Sequence, residues 1–150
     1  MLIGAVAAIV HGYPLPTMDV DITPDRRPDN MEPLAAALRE LNAQLRLPDG
    51  SGLDFPVDAD FLSSRDSWTL TTRLGDLDLV FVPVGTGGFD DLRRSAMEFD
   101  LGTGAPVLVA SLADVIRSKE AANRPKDQAQ LPALRQTLEV IREREQREKR

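Results

Sequence analysis

The sequence predicts an α+β fold. Three observations carry that reading: short runs that alternate polar and apolar residues, leucines recurring at helical spacing, and turn signals that join consecutive strands as hairpins. Hairpins in place of repeated parallel crossovers separate α+β from a doubly wound sheet. At 150 residues, with 42% hydrophobic and 28% charged residues, the chain has the size and composition of one ordinary globular domain. We read residues 1–150 as a single domain, with 111–150 as its helical C-terminal part.

Ile3–Val10 reads as the end of a strand or the start of a helix, broken at Gly4. Gly12, Pro14 and Pro16 make His11–Met18 a loop. Asp19-Val20-Asp21-Ile22 alternates polar and apolar residues, so it is a short strand with Val20 and Ile22 expected on the core face. Thr23–Asn30 is a loop. Leu34, Leu38, Leu41 and Leu45 predict a helix over Met31–Leu45. Pro48–Pro56 is a turn-rich loop. Trp68–Arg73 and Leu77–Val82 read as strands joined by a tight turn at Gly75-Asp76. Gly85–Gly88 is a loop and Phe89–Ala96 a short helix. Glu98–Leu101 and Pro106–Ala110 form a hairpin around Gly102 and Gly104. Ser111, with Asp114 three residues on, N-caps a helix to about Ala122. Pro125 restarts helix, and Leu131, Leu134, Leu138 and Ile141 carry it toward the C-terminus. Its tail, Glu139–Arg150, mixes five basic with four acidic residues and reads as a solvated helix held by i,i+4 pairs.

Composition excludes several chemistries. The chain has no cysteine, which removes disulfides, thiolate zinc sites and a cysteine nucleophile, and fits a reducing cytoplasm. His11 is the only histidine, so histidine-rich metal sites are excluded too. No run is apolar for the roughly 18 residues a membrane span needs, and no membrane partner is expected. Met1–Val10 lacks a basic flank and is not read as a signal peptide. The formal charge is −6, so RNA binding needs a local basic patch acting against the net field.

Asp19-x-Asp21 is the first motif with chemistry in it. Side chains at i and i+2 of a strand point the same way, and two adjacent carboxylates repel unless a cation sits between them. The second is Asp78 in Gly75-Asp76-Leu77-Asp78-Leu79-Val80-Phe81. Leu77, Leu79 and Phe81 share one face; Asp76, Asp78 and Val80 share the other. A mid-strand acid is costly to bury without a partner, and a metal held with Asp19 and Asp21 is one such partner. Asp76 reads more simply as a solvated turn residue. Acids from two strands are the constellation for two-metal phosphoryl transfer, with Mg²⁺ ions roughly 3.5–4 Å apart. That chemistry needs neither histidine nor cysteine.

These residues resemble the nucleotidyltransferase superfamily signature: the small pair Gly4-Ala5, a spacer, Asp19-Val20-Asp21, then a later strand acid. More narrowly, His11-Gly12-x-Pro14-x-x-Thr17-x-Asp19-Val20-Asp21 and Arg117-Ser118-Lys119-Glu120-x-Ala122-x-Arg124-Pro125-Lys126-Asp127 resemble the AbiEii/MenT-like bacterial nucleotidyltransferases, many of them toxins of toxin–antitoxin pairs. The resemblance runs from Gly4 to about Leu134. It implies a polymerase-β-like fold, a small mixed sheet flanked by helices. Ala5 stands where that pattern has glycine or serine, and Leu15 where a basic residue is common. The pattern also has a helix before the small pair, so a late-assigned start or a trimmed chain is expected.

The resemblance implies roles for the second block. Asp19, Asp21 and Asp78 would hold Mg²⁺ and, with Lys119, form the catalytic set. Gly4, Ala5, Arg117, Lys119, Arg124, Lys126 and Asp127 would bind the nucleotide, the cations neutralising triphosphate. Asp127 is expected to orient Lys126 or Lys119, or to bind base or ribose. Thr17 is expected to point along the face of the acids, where phosphorylation would place nearly two negative charges in the metal site. His11 is expected to hold the loop through a backbone hydrogen bond, Trp68 to be core, and Tyr13 either to pack or to stack on a base.

The implied activity is transfer of NMP from an NTP, with a pyrimidine as candidate, to the 3′ acceptor end of tRNA, by a toxin with a cognate antitoxin. Two alternatives stand beside it. One is nucleotidyl transfer to a protein or a small molecule such as an aminoglycoside. The other is a catalytically dead partner-binding domain.

Overall fold

The computed structural model describes residues 1–150. Along the chain run β1 (Leu2–Ile3), α1 (Gly4–Val10), β2 (Asp19–Ile22), α2 (Pro28–Glu40), β3 (Gln44–Arg46), β4 (Gly52–Leu53) and α3 (Ala59–Ser63). They are followed by β5 (Ser67–Thr72), β6 (Gly75–Val80), α4 (Phe89–Leu92), β7 (Met97–Asp100), β8 (Pro106–Val109), α5 (Leu112–Ala122) and α6 (Pro125–Glu148). The strands form one 8-stranded sheet in the order β4-β3-β5-β6-β2-β1-β8-β7. Two pairs, β2 with β6 and β1 with β8, are parallel, and the others antiparallel. The fold is therefore α+β with a mixed sheet, and no helix is long and apolar enough to cross a membrane.

Local chemistry sets the element ends. Gly4 adopts φ +63, which turns the chain from β1 straight into α1. Pro28 opens α2 at a position where its missing N–H is harmless. Ser111 Oγ accepts from the Asp114 N–H at 3.1 Å and starts α5. Asn123, at φ 52, ends it in the left-handed region, and Pro125 begins α6 two residues later.

Several predicted boundaries are corrected. The helix expected over Met31–Leu45 stops at Glu40, because Asn42 takes φ 51 and releases the chain. Leu45 lies instead in β3 opposite Leu70. The loop expected over Pro48–Pro56 contains β4, and α3 adds a turn of helix capped by Asp58, whose carboxylate accepts from Phe61 N–H at 2.7 Å. The β5–β6 turn is Arg73-Leu74, since Thr72 pairs with Gly75. Asp76 thus stands in a strand, not in a turn. Val20 is exposed, so of the expected core pair on β2 only Ile22 packs inward. The helical tail forms, but none of the molecule's ion pairs falls within Glu139–Arg150.

Two main apolar clusters hold the sheet. Met31, Leu38, Leu62, Trp68, Leu70 and Leu79 join α2 and α3 to the β5–β6 hairpin. Ala7, Ala8, Val109, Leu112, Leu131 and Leu134 join α1, α5 and α6 to β8. Leu38, Leu70, Leu79 and Leu134 are almost wholly buried, each worth about 1.5–3 kcal/mol of transfer free energy. This packing fixes α5 and α6 against α1 and β8.

Candidate active site

Strand register assembles the acids. Parallel pairing sets Asp21 beside Asp78 and Asp19 beside Asp76. A carboxylate oxygen from each of Asp19, Asp21 and Asp78 lies within 4.8 Å of the others, and all are half-buried. Burial, then the charges of Asp19 and Asp78, push the Asp21 carboxyl up to about 6, against the opposing pull of Lys119 and Lys126. Asp78 is also raised: burial drives it up, Arg46 pulls it down, and Asp19 and Asp76 add repulsion. Space is reserved here as well. A Cβ on Gly4 would stand 2.3 Å from Asp21 Oδ2, so only glycine fits beside that carboxylate.

Hard oxygen donors clustered against their own repulsion fit a divalent cation such as Mg²⁺. Asp19, Asp21 and Asp78 are the residues that would hold it.

Beside the acids opens a cavity of about 420 Å³. Gly4, Ala5, Thr17, Asp19 and Asp21 line it, as do Lys119, Arg124 and Lys126; Val80, Val84, Leu92 and Val115 add apolar lining. Asp78 stands outside that lining. The Thr17 hydroxyl donates to Asp19 Oδ1 at 2.9 Å, so it does share the face of the acids.

The cations differ in their freedom. Asp127 is fully buried, and its carboxylate takes Arg124 Nε at 2.6 Å and Lys119 Nζ at 3.3 Å. Burial alone would raise it, but the hydrogen bond from Arg124 and the charge of Lys119 hold it below the ordinary carboxylate range. Lys119 also donates to Gln130 Oε1 at 2.7 Å. Asp127 therefore orients Lys119 and Arg124, and does not itself face the cavity. Lys126 lines the cavity with no carboxylate within 4.0 Å. Arg117 points elsewhere: it pairs with Asp91 at 2.8 Å and Asp114 at 2.9 Å and does not line the cavity.

His11 Nε2 meets Ala110 O at 2.9 Å and holds the loop to β8, as expected. Trp68 is core and donates to Leu62 O. Tyr13 is buried with α1 and α5, out of reach of a base. Two contributors escaped the sequence reading, Gln130 and Arg46. Arg46 bridges Asp78 at 2.7 Å and Asp76 at 2.5 Å. The alternation Gln44-Leu45-Arg46-Leu47 signals a strand with Gln44 and Arg46 on one face, but the leucine spacing masked it. Compared with models of protein families and with curated proteins, the chain matches none.

Proposed function

We propose that this chain is a Mg²⁺-dependent nucleotidyltransferase that moves NMP from an NTP to RNA, with the 3′ end of tRNA as acceptor, and that it acts as the toxin of a toxin–antitoxin pair. The observation that carries the enzymatic reading is the confrontation, across one cavity, of the β2 carboxylates Asp19 and Asp21, which cluster with Asp78 of β6, with the cations Lys119 of α5 and Lys126 of α6. A volume of about 420 Å³ is within the range of small-ligand pockets. The RNA acceptor, the pyrimidine donor and the toxin role rest on the motif resemblance.

When bound, Mg²⁺ supplies neutralisation of phosphoryl oxygens and a more acidic acceptor hydroxyl. The protein's own groups position the rest. Lys126 and Lys119 face the acids and neutralise the triphosphate. Asp127 and Gln130 fix the Lys119 ammonium so that little rotamer freedom is lost on binding. The apolar lining offers the base a surface to pack against. The acceptor oxygen bonds to the α-phosphorus, the bond to the bridging oxygen breaks, pyrophosphate leaves, and the acceptor hydroxyl passes its proton to a carboxylate of the acid cluster. Thr17 supports Asp19, so a phosphate there would displace the acid and oppose the nucleotide. A Thr17→Glu protein should be inactive.

The test is incubation of purified protein with Mg²⁺, each α-³²P-labelled NTP and total bacterial tRNA, beside an Asp19→Ala control. Label on tRNA that disappears in the control supports the reading; label on no acceptor sinks it. One observation favours a different acceptor. The formal charge is −6, and Asp127 engages two of the three cavity cations. That balance suits a small molecule or protein better than a polyanion, and label on either would select that alternative.

A further inference from the structure

The acid cluster has a cation of its own, supplied by a strand two places away. Gln44 pairs with Thr71 and Leu45 with Leu70, so Arg46 continues the row to Thr69, which pairs with Asp78. Arg46, Thr69 and Asp78 therefore share one face across β3, β5 and β6. The short Thr69 side chain between them lets the arginine stem cross to β6. There the guanidinium is forked, with one nitrogen 2.7 Å from Asp78 Oδ1 and the other 2.5 Å from Asp76 Oδ2. The arginine side chain is only 18% exposed and Asp78 23%, so that pair is partly shielded from solvent, while Asp76, 39% exposed, lies nearer the surface. Asp76 is not one of the clustered metal-type ligands. Its geometry gives it a different task, the second anchor that keeps Arg46 in place.

We propose that Arg46 is a built-in counter-ion of the Asp19–Asp21–Asp78 cluster, a positioning residue that holds Asp78 and weakens the cluster's affinity for a bare divalent cation. The inference rests on the cation-site part of the proposed function. Arg46 divides the charge of Asp78 and repels an incoming cation. A cation that brings its own anions, as a polyphosphate complex does, is then favoured over the ion alone. Removing Arg46 leaves three mutually repelling carboxylates, so the metal-free protein loses stability while the bare ion binds better.

The experiment is Mn²⁺ binding without nucleotide, read by electron paramagnetic resonance, together with thermal melts lacking metal. The proteins are the parent, Arg46→Gln, Arg46→Met, Asp76→Asn and an Asp19→Asn/Asp21→Asn reference. Arg46→Gln and Arg46→Met should bind Mn²⁺ about tenfold tighter than the parent and melt lower without metal. Asp76→Asn removes a negative charge and leaves Arg46 to Asp78 alone, so it should bind about threefold more weakly. That variant keeps the test decisive if loss of Arg46 prevents folding. Unchanged or weaker affinity in the Arg46 variants, or unchanged or tighter affinity in Asp76→Asn, overturns the counter-ion role. Where the parent still binds through Asp19 and Asp21, the cation site survives that failure. No binding in parent or variants overturns both.

Discussion

The acid corner on β2 and β6 and the α5–α6 junction both concentrate charge, and they resolve it in opposite ways. At the junction the fully buried Asp127 receives Arg124 at 2.6 Å and Lys119 at 3.3 Å, and its carboxyl lies below the ordinary range. At the acid corner Asp19, Asp21 and Asp78 crowd within 4.8 Å, and Asp21 is pushed up to about 6. One residue type is scaffolding where its neighbours are complementary and strained where they are alike. Crowding of the second kind is what the proposed cation site rests on.

The sharpest way to break this contrast is at the junction. Asp127→Ala leaves the largely buried Lys119 without its carboxylate, while Arg124, 59% exposed, returns to solvent, and should cost about 3 kcal/mol in urea denaturation. A loss below about 1 kcal/mol would show that the junction is not load-balanced as described.

At the acid corner the sign should reverse. The Asp21 carboxyl titrates near 3.8 unfolded and about 6 folded, so in that window the folded chain keeps a proton that the unfolded chain has released. Stability of the metal-free protein should fall as pH rises through the window and level off above it. Asp21→Asn should flatten that slope and gain on the order of 2–3 kcal/mol at neutral pH, while abolishing nucleotidyl transfer. Urea melts across the window, with the labelling assay beside them, check both halves; a destabilised Asp21→Asn protein would contradict the repulsion argument.

Gly4→Ala is a smaller, mixed perturbation. The residue sits at φ +63, and the new Cβ would stand 2.3 Å from Asp21 Oδ2. We expect a loss of about 1–2 kcal/mol and weakened Mn²⁺ binding, since Asp21 must move. Native affinity in a folded Gly4→Ala protein would mean that Asp21 tolerates displacement.

Arg117→Ala should matter least. Its side chain is 44% exposed, and its partner Asp114 keeps hydrogen bonds from Ser95 and Ser111, so stability should change by no more than about 1 kcal/mol. Transfer rates should stay within about twofold by the labelling assay. A large loss of transfer would return Arg117 to the nucleotide site.

Legibility in the sequence followed how local the deciding interaction was. The Ser111 cap, the break before Pro125 and the Gly102–Gly104 hairpin are local signals, and each lies where it was expected. The run past Glu40 misled because Leu41 and Leu45 keep helical spacing through a stretch that Asn42 bends away. Arg46 was lost with that misreading. Tyr13 was ambiguous because burial depends on what packs around a loop, and only α1 and α5 settle it. Asp127 and Arg117 show the same limit, since packing buries the Asp127 carboxylate under Arg124 and Lys119 and turns Arg117 away from the cavity toward Asp91 and Asp114.

By itself the sequence determined which chemistries were open to this protein: no thiols, one histidine, and acids at alternate strand positions with a cationic block downstream. Those follow from residue identity and from the period of two along a strand. Tertiary structure alone decided which charges meet. Parallel pairing of β2 with β6 brought Asp21 to Asp78 across more than fifty residues of chain, the β3–β5 register brought Arg46 to the same row, and the α5–α6 joint turned Asp127 inward. The physical reason is that strand register and helix packing are set by the burial of distant apolar faces, and a charged side chain goes where that burial carries it.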